Sequence, residues 1–510
     1  MISPSSNLTL CNVPWDNTYK NVCDAADAAY FAGATVAIIK KTNYSYVRKD
    51  TAVNIECDMD TAVMANYVVY TNTAHENKLF CAFITKHEYV NDLVTKLYLE
   101  TDVYQTWRGV MTLESCFTVR EHTTTDNIGD HTLPEGLETG PFTKISTTRA
   151  TDLNTLAVIV GVTQHADGSE ARGRVYGGIY SALLYFAFFG STMVGGIETF
   201  VQSYVTGGKI EAVRIMFTYP SALLPSGLVS GDDITSDFLS SPVLTKAVTY
   251  IQSTVGGYSP KNKKLFCFPY NFLHVTNLQG QAADFKFELL HTNAGTFNFS
   301  IFGACAPGAK VGCYPSGYRN NVAIGLNHEE GLTLQNYPLC NWQFTPWENW
   351  IAQNAVNIAS TVGAGVIGTA AGIATANPLM ITGGIAAVMS QVQQIARQTA
   401  EPEQSRGNTN GSTLAISGGV QTFEFAQMQI TTEYARVIDE FFSMFGYKVN
   451  RVKVPNTANR AAWNYVLTND CIITGAIPFD DKQRLQRVFN DGVTIWHTND
   501  IGDYTAANGA

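Results

Sequence analysis

The sequence predicts a mainly β protein with a few helices and one long apolar loop or helical hairpin. Three observations predict this. Period-two alternation of apolar and polar residues recurs through the first 350 residues, helical spacing is confined to a few short segments, and from Asn349 to Ala396 no Asp, Glu, Lys or Arg occurs. At 510 residues the chain is too long for one small core, and its length corresponds to about three domains. Charged residues make up 15%, against roughly 25% in ordinary soluble domains, while aromatic residues reach 11%. That balance favours strands and large buried contacts.

The elements follow in chain order. In "KLYLETDV", Leu97, Leu99 and Val103 fall on one face and Lys96, Glu100 and Asp102 on the other. "ATVAIIKK", "NYVVYTN", "KIEAVRIMFTY" and "TFNFSIFG" read as strands in the same way. Ile197, Phe200, Val201 and Tyr204 form an apolar helical stripe that Gly207 and Gly208 end, placing a helix between an apolar run at 175–189 and a strand at 209–219. Near the end, Tyr434, Val437, Ile438, Phe441, Phe442 and Phe445 keep helical spacing, with Gly446 as the stop. A short helix is expected at 481–490, capped by Asp480 or Asp481, with Leu485, Val488 and Phe489 facing inward and Gly492 closing it.

The polar, Gly-, Pro- and Thr-rich stretch at 121–148 suggests a first boundary, and the loss of charge after "NWQFTPWENW" a second. "RQTAEPEQSRGNTNGST" reads as an exposed loop. The resulting segments are an N-terminal β domain at 1–120, a central β-rich domain with one helix at 121–350, an apolar segment at 351–420 and a C-terminal α/β segment at 421–510.

Composition narrows the function. A net charge of −10 without any Lys/Arg block argues against a grip on nucleic acid, although an acidic surface past which DNA slides without sticking is compatible with it. "MISPSSNLTLC" has neither the basic flank nor the apolar run of a secretory signal, so assembly in a cytoplasm is expected. The ten cysteines show no Cys-x-x-Cys or zinc-type spacing and read as reduced core residues.

No constellation for catalysis, cofactor or metal emerges. "GAGVIG" formally matches a dinucleotide fingerprint at Gly363, Gly365 and Gly368, but no acid follows until Glu401, too far to hold a ribose. Asp232 beside Asp233 reads as a turn or cap, since no third carboxylate strand accompanies it. His328 lacks the second histidine of a zinc protease helix, and His87 and His122, each beside a glutamate, read as surface or interface residues. Neither a Gly-x-Ser-x-Gly elbow nor a phosphate-binding loop is present. The chain reads as a non-enzyme with no catalytic or metal-ligating residues and no cofactor.

The uncharged run is the strongest functional signal. Residues 351–376 and 379–396 would form helices of about 39 and 27 Å, comparable with a hydrocarbon core of roughly 30 Å, with Asn377-Pro378 as the turn between them. Val362, Val366, Ile367 and Ile373 on the first arm, and Leu379, Met380, Ile381, Ile385, Val388 and Met389 on the second, are the membrane or plug candidates. Together with Val356 and Ile358, the apolar residues of the first arm contribute only about −2 to −4 kcal/mol of insertion free energy, so insertion should be conditional or shared among copies. Ala364, Gly368, Gly372 and Ala376 recur every fourth position and permit close helix contact. Trp342, Trp347 and Trp350, with Phe344, stand just before the run; they suit an interfacial anchor or an aromatic core equally.

Spread along the chain, "NVPWDNTYKNV", "FITKHEYVNDLVTKLYLETDVYQTW", "VREHTTTDNIGDHTLPEGLETG", "GKIEAVRIMFTYP", "FPYNFLHVTNLQG", "RVIDEFFSMFGYKVNRVKVPN", "RAAWNYVLTND" and "GVTIWHT" carry a resemblance in their order and spacing. The sequence resembles the tail knob, or distal tail tube, proteins of Picovirinae-type short-tailed bacteriophages. The resemblance implies β-barrel modules like those of tail-tube proteins and a homohexameric tube at the virion tail tip. It also implies a junction with the upper tail tube or collar protein and passage of genomic DNA through the lumen without specific binding. A long apolar loop, here about 351–420, would close the distal end and then enter the host cell membrane. The competing classes are a free-standing pore-forming protein and a wall-degrading enzyme of the tail tip.

Overall fold

The computed structural model describes residues 6–44, 51–169, 174–176, 179–181, 183–209, 212–234, 244–278, 280–290, 295–303, 310–319, 331–334, 340–344, 412–416 and 422–509. Strands dominate, as the alternation predicts, and they assemble into two units, each with its own sheets and core.

The first unit comprises Met1–Pro141, Thr254–Cys267 and Ile430–Ala510. Its larger sheet is antiparallel and runs in the order Ala37–Tyr44, Ser6–Cys11, Tyr67–Asn72, Phe80–Asn91, Val94–Thr101, Ala52–Ile55. Both faces of its strand Tyr67–Asn72 are buried. Successive side chains of a strand point to opposite faces, so Tyr67 and Val69 enter one core while Val68 and Tyr70 enter another. Both edge strands feed the second core, Ile38 and Ile39 from one side and Val53 and Ile55 from the other, so the sheet curls around it.

The "KLYLETDV" stretch departs from simple alternation at its end. Leu97 and Leu99 are buried as expected, but Asp102 is buried too, at 1% exposure. The strand stops at Thr101, and Asp102 caps the helix Val103–Trp107 by accepting from the Gln105 backbone N–H at 3.1 Å. The Tyr67 hydroxyl donates to the same carboxylate at 2.7 Å. Burial raises the Asp102 pKa from 3.8 to about 6.

A five-stranded sheet completes this unit, ordered Asn21–Cys23, Val493–Trp496, Trp463–Asn469, Cys116–Glu121, Tyr447–Lys453. Only its first pair is parallel. The helix Phe479–Asp491 buries Leu485, Val488 and Phe489 as expected, in the core that holds Tyr67, Val69 and Phe83. Its cap differs from expectation: Pro478 precedes it, and Asp481 in the first turn is buried and accepts from Trp107 Nε1 at 3.0 Å.

The helix Thr432–Phe445 buries Ala435, Ile438, Asp439 and Phe442. Val437, which the spacing placed inward, is 65% exposed, because the polar Asp439 takes part of the inner face. Its carboxylate accepts from the Tyr258 hydroxyl at 2.8 Å and from the Lys261 and Asn262 backbone N–H groups at 2.9 Å each. Asn262 Nδ2 adds a fourth bond at 2.9 Å, so Asp439 fastens residues 258–262 to the helix. Gly446 ends the helix with φ +63°, and a Cβ there would stand 2.2 Å from the Glu121 carbonyl oxygen.

The second unit comprises Phe142–Ser253 and Phe268–Gln429. One sheet runs Asp232–Asp233, Leu184–Phe188, Leu156–Val162, Val213–Pro220, Cys340–Phe344, Ser412–Ile416. Its central strand, "LAVIVGV", is buried at every position, which explains its continuous apolar run. A second sheet joins Leu244–Thr249, Thr296–Phe302, Gly312–Pro315 and Leu332–Thr333, and a third Phe142–Arg149, Glu424–Ile430, Asn271–Thr276 and Ala282–Phe285. All three share a core in which the Phe299 ring lies 5.2 Å from Phe285 and 4.8 Å from Phe425. The expected helix is present at Met193–Thr206, ended by Gly207 and by Gly208 at φ +64°. Its Phe200 ring packs 4.8 Å from Phe186 and 5.2 Å from Phe188.

Among the described residues, eight cysteines are buried free thiols.

Candidate functional site

Val213–Pro220 is an apolar strand buried at almost every position, and the two strands that continue the sheet on one side of it flank the uncharged segment in sequence. Cys340–Phe344 pairs with it, placing Trp342 opposite Met216 and Asn341 opposite Phe217. Ser412–Ile416 then forms the sheet edge, antiparallel, with Leu414 opposite Trp342 and Ser412 opposite Phe344. The chain leaves the sheet after Phe344 and rejoins it at Ser412 on the same rung, where partner Cα atoms stand roughly 5 Å apart. The whole uncharged run, Asn349 to Ala396, lies between these two points.

Val362, Val366, Ile367, Ile373, Leu379, Met380, Ile381, Ile385, Val388 and Met389 lie outside the described residues, as do Trp347, Trp350 and the glycines of "GAGVIG". Trp342 is described, on a strand with neighbours on both sides. Of the loop expected over 397–413, Ser412 and Thr413 belong to the edge strand, and the rest lies outside the described residues. The pairing of "CNWQF" with "STLAI" was the signal to look for; both are short, and too much chain separates them for local pattern to couple them.

The ionisable groups that invited a chemical reading are occupied structurally. Asp232 lies in a turn, its carboxylate accepting from the Val229 backbone N–H at 2.8 Å, while Asp232 and Asp233 form a short strand opposite Ala187 and Phe186. His87 Nε2 lies 3.1 Å from the Ala65 carbonyl oxygen. His122 is a core residue and not a surface one, only 3% exposed. Its Nδ1 accepts from the Tyr465 N–H at 2.7 Å, and Nε2 faces the Ser443 carbonyl at 3.1 Å. Burial, together with the nearby Arg460 charge, pushes its pKa down to about 3, so the ring is neutral and both nitrogens are committed to the main chain. Glu121 beside it is fully buried, paired with Lys453 and accepting from the Asn456 N–H at 2.8 Å. His328 lies outside the described residues.

Among the described residues no group of three or more His, Cys, Asp or Glu could hold a metal ion, and no helix is long and apolar enough to cross a membrane. The strands Cys340–Phe344 and Ser412–Ile416 bracket the uncharged segment in sequence and pair in one sheet.

Comparison with known proteins agrees with this architecture. The family model described as "Bacillus phage phi29, Tail knob protein gp9, C-terminal domain" matches residues 235–509, and that of the "Caudoviral major tail protein N-terminus" matches residues 4–112. Tail knob protein gp9 of Bacillus phage B103 is 25% identical over 588 residues, covering 98% of this chain and 97% of the relative. Tail knob protein gp9 of Bacillus phage phi29 is 24% identical, with the same coverage of each chain. The structure of the bacteriophage C1 tail knob protein, gp12, superimposes with a TM-score of 0.61 at 14% identity, over 99% of each chain, a likeness of fold.

Fold and matches together define a structural protein of bacteriophage tails. The chain belongs to the tail knob protein family, and its place is the tail of the virion.

Proposed function

We propose that this tail knob protein forms the distal end of the DNA-ejection tube as a ring of six copies. Its apolar segment, about 351–420, plugs the tube and then enters the host cell membrane so that DNA passes. The observation that carries this reading is the single rung at Phe344 and Ser412, from which the uncharged run departs and to which it returns. The chain between the two strands, residues 345–411, can move as one piece while Cys340–Phe344 and Ser412–Ile416 stay paired.

In this proposal Val362, Val366, Ile367 and Ile373 on one arm, and Leu379, Met380, Ile381, Ile385, Val388 and Met389 on the other, form the plug and membrane surface. Trp347 and Trp350 anchor its base, near the strand that holds Trp342. The match of residues 4–112 to a major tail protein N-terminus supports docking on the upper tail tube or collar protein. A net charge of −10 suits a lumen that lets DNA slide without specific binding. The protein acts without catalysis, and its relatives are named as tail knob proteins.

The test is dye release from liposomes across pH, by the full chain and by a variant lacking residues 352–420, with negative-stain images of both. Release by the full chain alone, with six-fold rings from both, supports the proposal. Rings without release from either would remove the membrane role, and monomers from both would remove the tube.

A further inference from the structure

Within the first unit, the segment from Glu121 to Leu133 faces the edge strand Tyr447–Lys453 across a cleft of ≈ 500 Å³, the size of a small-ligand site. Its lining is polar. The edge strand supplies three cations on one side because of a register shift between Lys448 and Arg451, where Asn450 adopts φ +42°. The extra residue turns Arg451 back to the face of Lys448, and Lys453 follows by the two-residue period. All three line the cleft.

Charge accounting leaves an excess. Lys453 is paired with Glu121, and Asp130 is held by the Asn127 backbone N–H and side-chain amide at 3.2 and 3.1 Å. Among the described residues, the Lys448 ammonium and the Arg451 guanidinium have no ion-pair partner. The opposite wall presents Thr124, Thr132 and Asp130, groups that accept from or donate to hydroxyls. That wall is fixed before any ligand arrives. The Tyr447 hydroxyl donates to Asp126 at 2.6 Å, the His131 ring stacks on Tyr447 at 4.5 Å, and Lys264 Nζ donates to the Leu133 carbonyl at 2.8 Å.

We infer that this cleft binds a polyhydroxylated anion, a phosphorylated or carboxylated sugar or polyol. The anionic group pairs with Lys448 and Arg451, and the hydroxyls bond to the threonine and Asp130 wall. A nucleic acid fits less well: Tyr447 is 1% exposed and covered by the His131 ring, no Phe, Tyr or Trp lines the cleft, and the chain as a whole carries −10. The inference is independent of the membrane role proposed above, since it uses neither the apolar segment nor the second unit.

The test is calorimetric titration of the full chain with glycerol 3-phosphate and with glucuronate, beside glycerol, inorganic phosphate and a short oligodeoxynucleotide. At least one of the first two should bind more tightly than glycerol or inorganic phosphate. Arg451→Gln, at an exposed position, and the pair Lys448→Gln with Arg451→Gln should weaken that binding by roughly tenfold or more, as loss of charge-assisted bonds does. Thr132→Val should weaken it a few-fold, with thermal melting unchanged in every variant used. Absence of binding by both anionic polyols would overturn the assignment. So would equal binding by Arg451→Gln, inorganic phosphate matching both polyols, or tighter binding of the oligonucleotide; the glucuronate and glycerol 3-phosphate arms tell a carboxylated from a phosphorylated ligand.

Discussion

Phe344 and Ser412 are partners in adjacent antiparallel strands, so the chain between them leaves and re-enters its sheet at one rung. This relationship makes the segment separable. Replacing residues 345–411 with a short turn such as Asn-Gly should preserve the cores of both units and shift the melting temperature by only a few degrees, since a two-residue turn closes an antiparallel pair. Near-UV circular dichroism and a thermal melt check this. Loss of cooperative melting would mean that the segment packs as part of the body.

Asp439 should be among the most sensitive polar positions. Asp439→Ala leaves the Tyr258 hydroxyl and the Lys261 and Asn262 backbone N–H groups without their acceptor at a buried carboxylate, while the Asn262 amide keeps the residue 439 carbonyl and the Ser443 hydroxyl. The expected cost is about 2–4 kcal/mol, read as a lower urea midpoint with little change in slope. Asp439→Asn, which keeps one acceptor oxygen, should lose less.

Gly446 closes its helix at φ +63° against the Glu121 carbonyl oxygen. Gly446→Ala combines backbone strain of about 1–3 kcal/mol with a clash against main chain that cannot rotate away. The expected result is a large fall in melting temperature or failure to accumulate as soluble protein. Gly136→Ala is the control: φ is +75° there, but no atom lies within 4 Å of the added Cβ, so only the strain remains.

Two buried groups give opposite pH slopes. Between 3.8 and about 6 the folded protein keeps a proton on Asp102 that the unfolded chain has released, so this group's contribution is greatest at the acid end and falls as pH rises. Between 6.5 and about 3 the unfolded chain takes up a proton that folded His122 refuses, so stability is lost as pH falls. Over the shared window the slopes offset. Asp102→Asn should therefore expose a steeper loss of stability in acid, and His122→Gln a stability that declines as pH rises, each by roughly 2–3 kcal/mol across the window. Urea midpoints at several pH values check this; the same slope in wild type and both variants would contradict it.

Local pattern made much of the fold legible. The "VRIMFTY" part of "KIEAVRIMFTY" and nearly all of "TFNFSIFG" became strands, and Gly446 and Gly492 mark helix ends at positive φ, because apolar periodicity and glycine's freedom act within a few residues. Where reading failed, a distant partner decided. Asp102 looked like a polar-face residue until the Tyr67 hydroxyl and a helix N-terminus gave it a buried role. Val437 looked like a core residue until Asp439 claimed that face for residues 258–262. His122 read as a surface or interface residue until its bonds to Ser443 and Tyr465 placed it in the core.

The candidate site divides in the same way. The absence of charge from Asn349 to Ala396 is a property of composition, and the sequence alone established it together with the strand-rich character of the rest. That Asn21–Cys23 lies beside Val493–Trp496, that residues 254–267 join the first unit, and that Phe344 meets Ser412 were decided by the tertiary structure. The physical reason is range. Periodicity reports which face of an element is apolar, but the choice of which apolar face covers which is made among distant segments, by shape, register and the satisfaction of buried polar groups.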